Sequence, residues 1–129
     1  MSAMRLLVVA LLTVWACGCG AAPQPTLAGG KPVGHWVEQF KGPDPKHRKE
    51  AVVKLGNVGA TDPAAFPAVC GALKDADPKV RHEAVLALMK FGETAREAVP
   101  LLDDVRKNDR DPQVRASATR ALEKLRPAG

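Results

Sequence analysis

Apolar and polar residues along this chain follow a helical period, and the helical stretches themselves recur. Three segments align without gaps: Asp44-Pro45-Lys46-His47-Arg48-Lys49-Glu50-Ala51-Val52-Val53-Lys54-Leu55, Asp77-Pro78-Lys79-Val80-Arg81-His82-Glu83-Ala84-Val85-Leu86-Ala87-Leu88, and Asp111-Pro112-Gln113-Val114-Arg115-Ala116-Ser117-Ala118-Thr119-Arg120-Ala121-Leu122. Their starts lie 33 and 34 residues apart. Val80, Ala84, Ala87, Leu88 and Phe91 in the second copy match Val114, Ala118, Ala121, Leu122 and Leu125 in the third. That spacing marks one face of a 3.6-residue period. The first copy keeps Ala51, Leu55 and Val58 but sets His47 and Lys54 on the stripe, as a partly exposed end unit would.

Each segment predicts a helix with a defined start. The aspartate is the N-cap, accepting from backbone N–H groups that have no helical partner and favouring the positive end of the dipole. Proline follows at the first helical position, where no N–H is needed. Gly59 and Gly92 predict left-handed caps at the far ends. A second helix is predicted after the first two copies. One starts at Asp62-Pro63 and runs to about Lys74, with Phe66, Val69 and Leu73 inward. The other starts at a capping box, Thr94-Ala95-Arg96-Glu97, and runs to about Lys107. Pro67 and Pro100 must lie in the first turn or bend these helices. Upstream, Val33 to Lys41 reads as a short amphipathic helix with Trp36 and Phe40 four apart. The chain is therefore all-α, with about six helices in stacked hairpins and no strand. A third second helix has no counterpart before Arg126-Pro127-Ala128-Gly129, which leaves Val114, Leu122 and Leu125 for a partner or a folded-back C-terminus to cover.

The pattern Asp-Pro-x-Val-Arg-x-x-Ala-x-x-Ala-Leu resembles HEAT repeats, especially the short bacterial subtype also called PBS-lyase HEAT-like. The resemblance covers about residues 33–126 and implies a short α-solenoid, with repeats of about 42–74, 75–108 and 109–126 in a domain spanning 35–126. It further implies an inter-repeat ladder, because such repeats often place an acidic residue six before the helix arginine and pair it with the arginine of a neighbour. Asp75 and Arg81 have that spacing, as do Asp109 and Arg115; the first copy has Gly42 there. The subtype takes its name from bilin lyases and does not make this chain a lyase.

The beginning of the chain reads as an address. Met1 to Arg5 carries one positive charge, Leu6 to Ala16 is apolar, and Cys17-Gly18-Cys19-Gly20 opens a run of small residues. This is the layout of a secretory signal over residues 1–16, too short to remain as a membrane-spanning helix. Val14-Trp15-Ala16-Cys17 resembles a bacterial lipobox, which implies lipidation at Cys17, with Cys19 as the alternative, and placement on the periplasmic or outer face of a bacterial envelope. Residues 17–34, rich in Gly, Ala and Pro, read as a flexible tether. Only Cys70 then remains in the body, so no internal disulfide framework is available.

Charge and composition narrow the remaining readings. The 129 residues suffice for one small domain or a short repeat array. Nineteen basic residues against 14 acidic give +5, with a sequence pI near 9.4. This excess is spread thinly and aromatics are sparse, so nucleic-acid binding is disfavoured despite the basic balance. His35, His47 and His82 have no partners at ligand spacing, which gives no metal site. Cys70, Ser117 and Thr119 lack a local triad pattern, which gives no catalytic residues. Arg48, Arg81 and Arg115 read as ladder members before they read as a phosphate stripe, and Trp36 with Phe40 as a cap on the first core layer. No cofactor and no small-molecule substrate are expected. The leading reading is a non-enzymatic scaffold for another protein, anchored to a membrane through lipid, with Lys74, Asp103, Asp104, Arg106 and Lys107 as the candidate partner surface. The alternatives are a nucleic-acid-binding protein of the same repeat type and an accessory subunit of an enzyme related to bilin lyases.

Overall fold

The computed structural model describes residues 24–127. The signal reading, Cys17 and Cys19 lie outside them. A two-residue hairpin comes first, β1 (Leu27–Ala28) and β2 (Lys31–Pro32). Six α-helices follow: α1 (Val33–Phe40), α2 (Pro45–Val58), α3 (Ala65–Ala72), α4 (Pro78–Leu88), α5 (Val99–Asn108) and α6 (Pro112–Leu125). Two 3-10 segments, Gly59–Thr61 and Met89–Ala98, join the first helices of the units to the second.

The aspartate-proline starts set the long helices. Asp44, Asp77 and Asp111 each accept from backbone N–H groups two or three residues ahead, at Lys46, at Lys79 and Val80, and at Gln113 and Val114. Helices α2, α4 and α6 pack side by side in one layer, and α1, α3 and α5 lie against them in a second. The core between them is built of small and medium residues, with Leu55, Leu88 and Leu102 among the largest fully buried side chains. The α2–α4 contact is close enough to need glycine. A Cβ on Gly56 would meet the Ala87 Cβ at 2.7 Å and its Cα at 3.1 Å.

Helix α1 belongs to the repeat. Val33, Trp36 and Phe40 stand 33 residues before Phe66, Val69 and Leu73, so α1 is the second helix of a partial leading unit. The hairpin closes that end. Leu27 pairs with Pro32 and Ala28 with Lys31, across a turn in which Gly29 and Gly30 both have positive φ. The Trp36 indole N–H donates to the Ala28 carbonyl at 2.8 Å. The Lys31 and Lys54 ammonium groups lie 5.6 and 5.7 Å from the Trp36 ring centroid. The tether reading of residues 17–34 is therefore corrected over Leu27–Gly34, where a hairpin and the first turn of α1 stand in place of a tether. Ala28 and Val33 are buried with Trp36. The all-helix expectation missed these strands because two residues each are too short to show a period.

The second helices also start later than the sequence pattern implies. No capping box forms at Thr94–Glu97; the chain there is 3-10, and α5 begins at Val99 with Pro100 in its first turn. An α-helix begun at Thr94 would drive the Pro100 ring against the carbonyl four residues back. Pro67 acts likewise on α3. Asp62 makes a turn to the Ala64 N–H at 2.9 Å, and the helix starts at Ala65. Gly59 and Gly92 do adopt positive φ, but with ψ of −141° and −128°, which turns the chain into the 3-10 segments and differs from a left-handed cap. At the C-terminal end Val114 is buried by its own stack, contrary to the expectation, while Leu122 and Leu125 are only half-buried.

Candidate functional site

Two ion-pair rungs cross the repeat junctions at the edge where each second helix turns into the next unit. Arg48 donates through Nε and Nη2 to the Asp75 carboxylate at 2.8 and 3.1 Å. Arg81 does the same to Asp109 at 2.8 and 3.0 Å. Both rungs are largely shielded from solvent. The third guanidinium nitrogen, Nη1, is bound in the same way in each case, to the carbonyls six and five residues before the arginine. In Arg81 it donates to the carbonyls of Asp75 and Ala76, in Arg48 to those of Gly42 and Pro43, and in Arg115 to those of Asp109 and Arg110. Each arginine thus pins the turn that precedes its own helix, but only Arg48 and Arg81 reach forward to the next unit. Arg115, expected in the ladder, forms no rung among the described residues, and Arg48 takes part in its place. Gly42 still supplies the carbonyl that Arg48 binds, since that bond needs no side chain. Each aspartate also accepts from the backbone N–H two residues on, at Asp77 and at Asp111.

The electrostatics follow the bonding. The hydrogen bond from Arg81 to Asp109 raises the guanidinium above its ordinary value despite some burial, and Asp75 does the same for Arg48. Burial works to raise the Asp109 carboxyl. The hydrogen bonds from Arg81 and the Asp111 backbone, with the charges of Arg81 and Arg115, outweigh it and hold the group below the usual carboxylate range.

Four of the five candidate surface residues divide between two grooves, and Lys107 lines neither. Lys74 and Asp104 line one of about 690 Å³ together with Arg110, lying over the Arg81–Asp109 rung. Asp103 and Arg106 line another of about 530 Å³ at the C-terminal end, with Val99, Leu122, Leu125 and Pro127. Lys107 and Arg106 both bind Asp103 along α5, and their hydrogen bonds hold its carboxyl below the ordinary range. A row the sequence reading left unconnected becomes visible once α1 is placed in the repeat. Lys41, Lys74 and Lys107 are spaced 33 apart and exposed at the ends of successive second-layer helices.

Other chemistry-bearing residues are absorbed by packing. Ser117 does find a partner that its local sequence does not show. Its hydroxyl lies 3.0 Å from His82 Nδ1 across α4 and α6. Ser117 is only 2% exposed, so the pair satisfies a buried hydroxyl and offers no approach for a substrate. Cys70 is half-buried, and burial, with the charge of Glu97, pushes its thiol up, away from the reactive thiolate. Thr119 returns its hydroxyl to the Arg115 carbonyl. Among the described residues no cluster of three or more His, Cys, Asp or Glu could hold a metal ion, and no helix is long and apolar enough to cross a membrane.

Stacked hairpins of near-constant length, tied by ion-pair rungs at two successive junctions, define an α-solenoid. A family profile described as HEAT repeats matches residues 33–123, well over half of the chain. The chain belongs to the HEAT-repeat family. A comparison with curated proteins gives no match.

Proposed function

We propose that this protein is a non-enzymatic scaffold that binds another protein through the edge of its second-layer helices, and that it is held by a lipidated cysteine on the periplasmic or outer face of a bacterial envelope. HEAT repeats are commonly protein-interaction scaffolds, which sets the general reading. The observation that carries it here is the groove over the Arg81–Asp109 rung. Lys74, Asp104 and Arg110 place charges of both signs on its walls. Helix packing and the rung beneath hold those walls in place. A two-signed rigid edge complements a polypeptide surface, whereas a polyanion would meet Asp104 as well as the lysines. Lipidation rests on the sequence around Cys17, with Cys19 as the alternative.

Mass spectrometry of the mature N-terminus from the native host's membrane fraction tests the address. Acylation lost in Cys17→Ser, or in Cys19→Ser, supports it; an unprocessed N-terminus in the soluble fraction overturns it. Exchange of the groove charges in Lys74→Glu with Asp104→Lys tests the binding edge. The variant is expected to fold as the parent does and to lose co-purification of the parent's envelope partner. An undiminished partner yield would refute the assignment of this edge.

A further inference from the structure

We infer that the C-terminal end of the stack is a second docking site, and that its occupant is an amphipathic helix of another polypeptide followed within a few residues by an aspartate or glutamate. The inference deepens the scaffold reading and rests on it only in taking the ligand to be a protein. The inner units show what such a surface binds. Leu55 and Leu88 are fully buried and Val58 and Phe91 nearly so; in the first unit the following helix, α3, lies against α2, and Phe91 packs edge-on against Phe66 of α3. Leu122 and Leu125 hold the equivalent positions on α6 and are half-exposed, flooring a groove of about 530 Å³. The same holds for charge. Arg48 and Arg81 each use Nε and Nη2 to grip a carboxylate that trails the next second-layer helix by one to three residues. Arg115 is pinned by the same Nη1 bonds to the preceding turn, yet Nε and Nη2 meet no carboxylate among the described residues. One end of α6 thus presents a guanidinium fork and the other an apolar floor, roughly 10–15 Å apart along the helix axis. A helix running antiparallel to α6 would meet the floor first and bring a trailing carboxylate to the fork.

The opposite end of the stack does not supply this ligand. There Gly42 stands where the inner units have Asp75 and Asp109, the Asp44 carboxylate is taken up in capping α2, and the hairpin packs beside α1. Thr119 replaces the buried Val52 and Val85, and Asp103 and Arg106 line the groove rim. These polar groups keep the end soluble when empty, which suits a partner that comes and goes.

A blocked synthetic peptide with the sequence of residues 97–111, which carries the α5 helix and Asp109, serves as the probe. Titrated to millimolar concentration against the isotopically labelled chain, it is expected to shift the Leu122 and Leu125 methyl signals and the Arg115 Nε–H signal together. Asp109→Asn in the peptide, which leaves the protein untouched, is expected to weaken binding roughly tenfold, as loss of a charged hydrogen-bonded pair does. Arg115→Lys in the protein should weaken the parent peptide and not the Asn peptide. Absence of shifts at these residues, or equal affinity for the two peptides, would overturn the proposal. So would Arg115-dependent self-association of the chain alone, which would make a second copy the occupant. None of these results depends on Lys74 or Asp104 of the folded chain, so failure here and failure of the groove edge are separable.

Discussion

Replacing Asp109 by asparagine tests whether the rungs hold the stack together. The Asp109 carboxylate accepts from Arg81 Nε at 2.8 Å, from Arg81 Nη2 at 3.0 Å and from the Asp111 N–H at 2.9 Å, with the carboxylate side chain 6% exposed. Asparagine keeps one acceptor oxygen and turns an NH₂ group towards a donor that is already in place. A guanidinium on the second repeat is left without its counter-charge in a site that water reaches poorly. Hydrogen bonds to charged groups and the penalty for stranding half of a shielded pair put the cost at about 2–3 kcal/mol. For a domain of this size the loss lowers the melting temperature by roughly 10–20 °C. Thermal unfolding followed by circular dichroism at pH 7 measures it. Glu38→Gln is the control, because the Glu38–Lys41 pair is exposed on both sides and its loss should move the transition by no more than about 2 °C. Equal melting temperatures for the two variants would refute the claim that the rung is a structural tie. The pH dependence has a definite sign. The Asp109 carboxyl is held below its unfolded value, so its contribution is full above the unfolded carboxyl range and is lost as pH falls through the folded pKa. The stability gap between the parent and Asp109→Asn should therefore narrow steadily in acid.

Further outcomes follow from the packing. Gly56→Ala should destabilise by about 1–2 kcal/mol in urea titration, because the clash with Ala87 exceeds the helix-propensity gain of alanine. Adding Ala87→Gly should recover part of that loss, since it removes the atom struck. Trp36→Phe deletes the indole bond to the Ala28 carbonyl, and hydrogen exchange at the Val33 amide, which donates to Thr26, should accelerate while α4 and α6 keep their protection. Cys70 should react with a thiol reagent at pH 7 more slowly than free cysteine, since burial disfavours its thiolate.

The long helices were legible because their signals are local. Asp44, Asp77 and Asp111 cap within three residues, and the apolar stripe of each helix repeats inside it. What the sequence hid depends on tertiary context. The hairpin exists because Ala28 has the Trp36 indole to bind and Val33 a core to enter, and neither leaves a period in four strand residues. Thr94–Glu97 has the residues of a capping box, but Pro100 forbids the helix that box would begin. Asp75 and Arg81 stand six apart and mark the ladder, while the bonds themselves span 27 and 28 residues, from Arg48 to Asp75 and from Arg81 to Asp109. His82 and Ser117 are 35 apart and meet only through the parallel stacking of α4 on α6. The five surface residues named from the sequence all lie on the second-layer edge, but the fold separates them, sending Lys74 and Asp104 to one groove and Asp103 and Arg106 to another.

Binding to another protein through the second-layer edge is tested most directly by photo-cross-linking in the native host. A photoreactive residue is placed in turn at Asp104, in the groove over the rung, and at Lys46, exposed near the start of α2 in the other layer. The scaffold reading predicts a discrete protein adduct from position 104, lost when Lys74→Glu is added, and none from position 46. Equal adducts from both positions, no adduct from position 104, or an adduct to nucleic acid would contradict it.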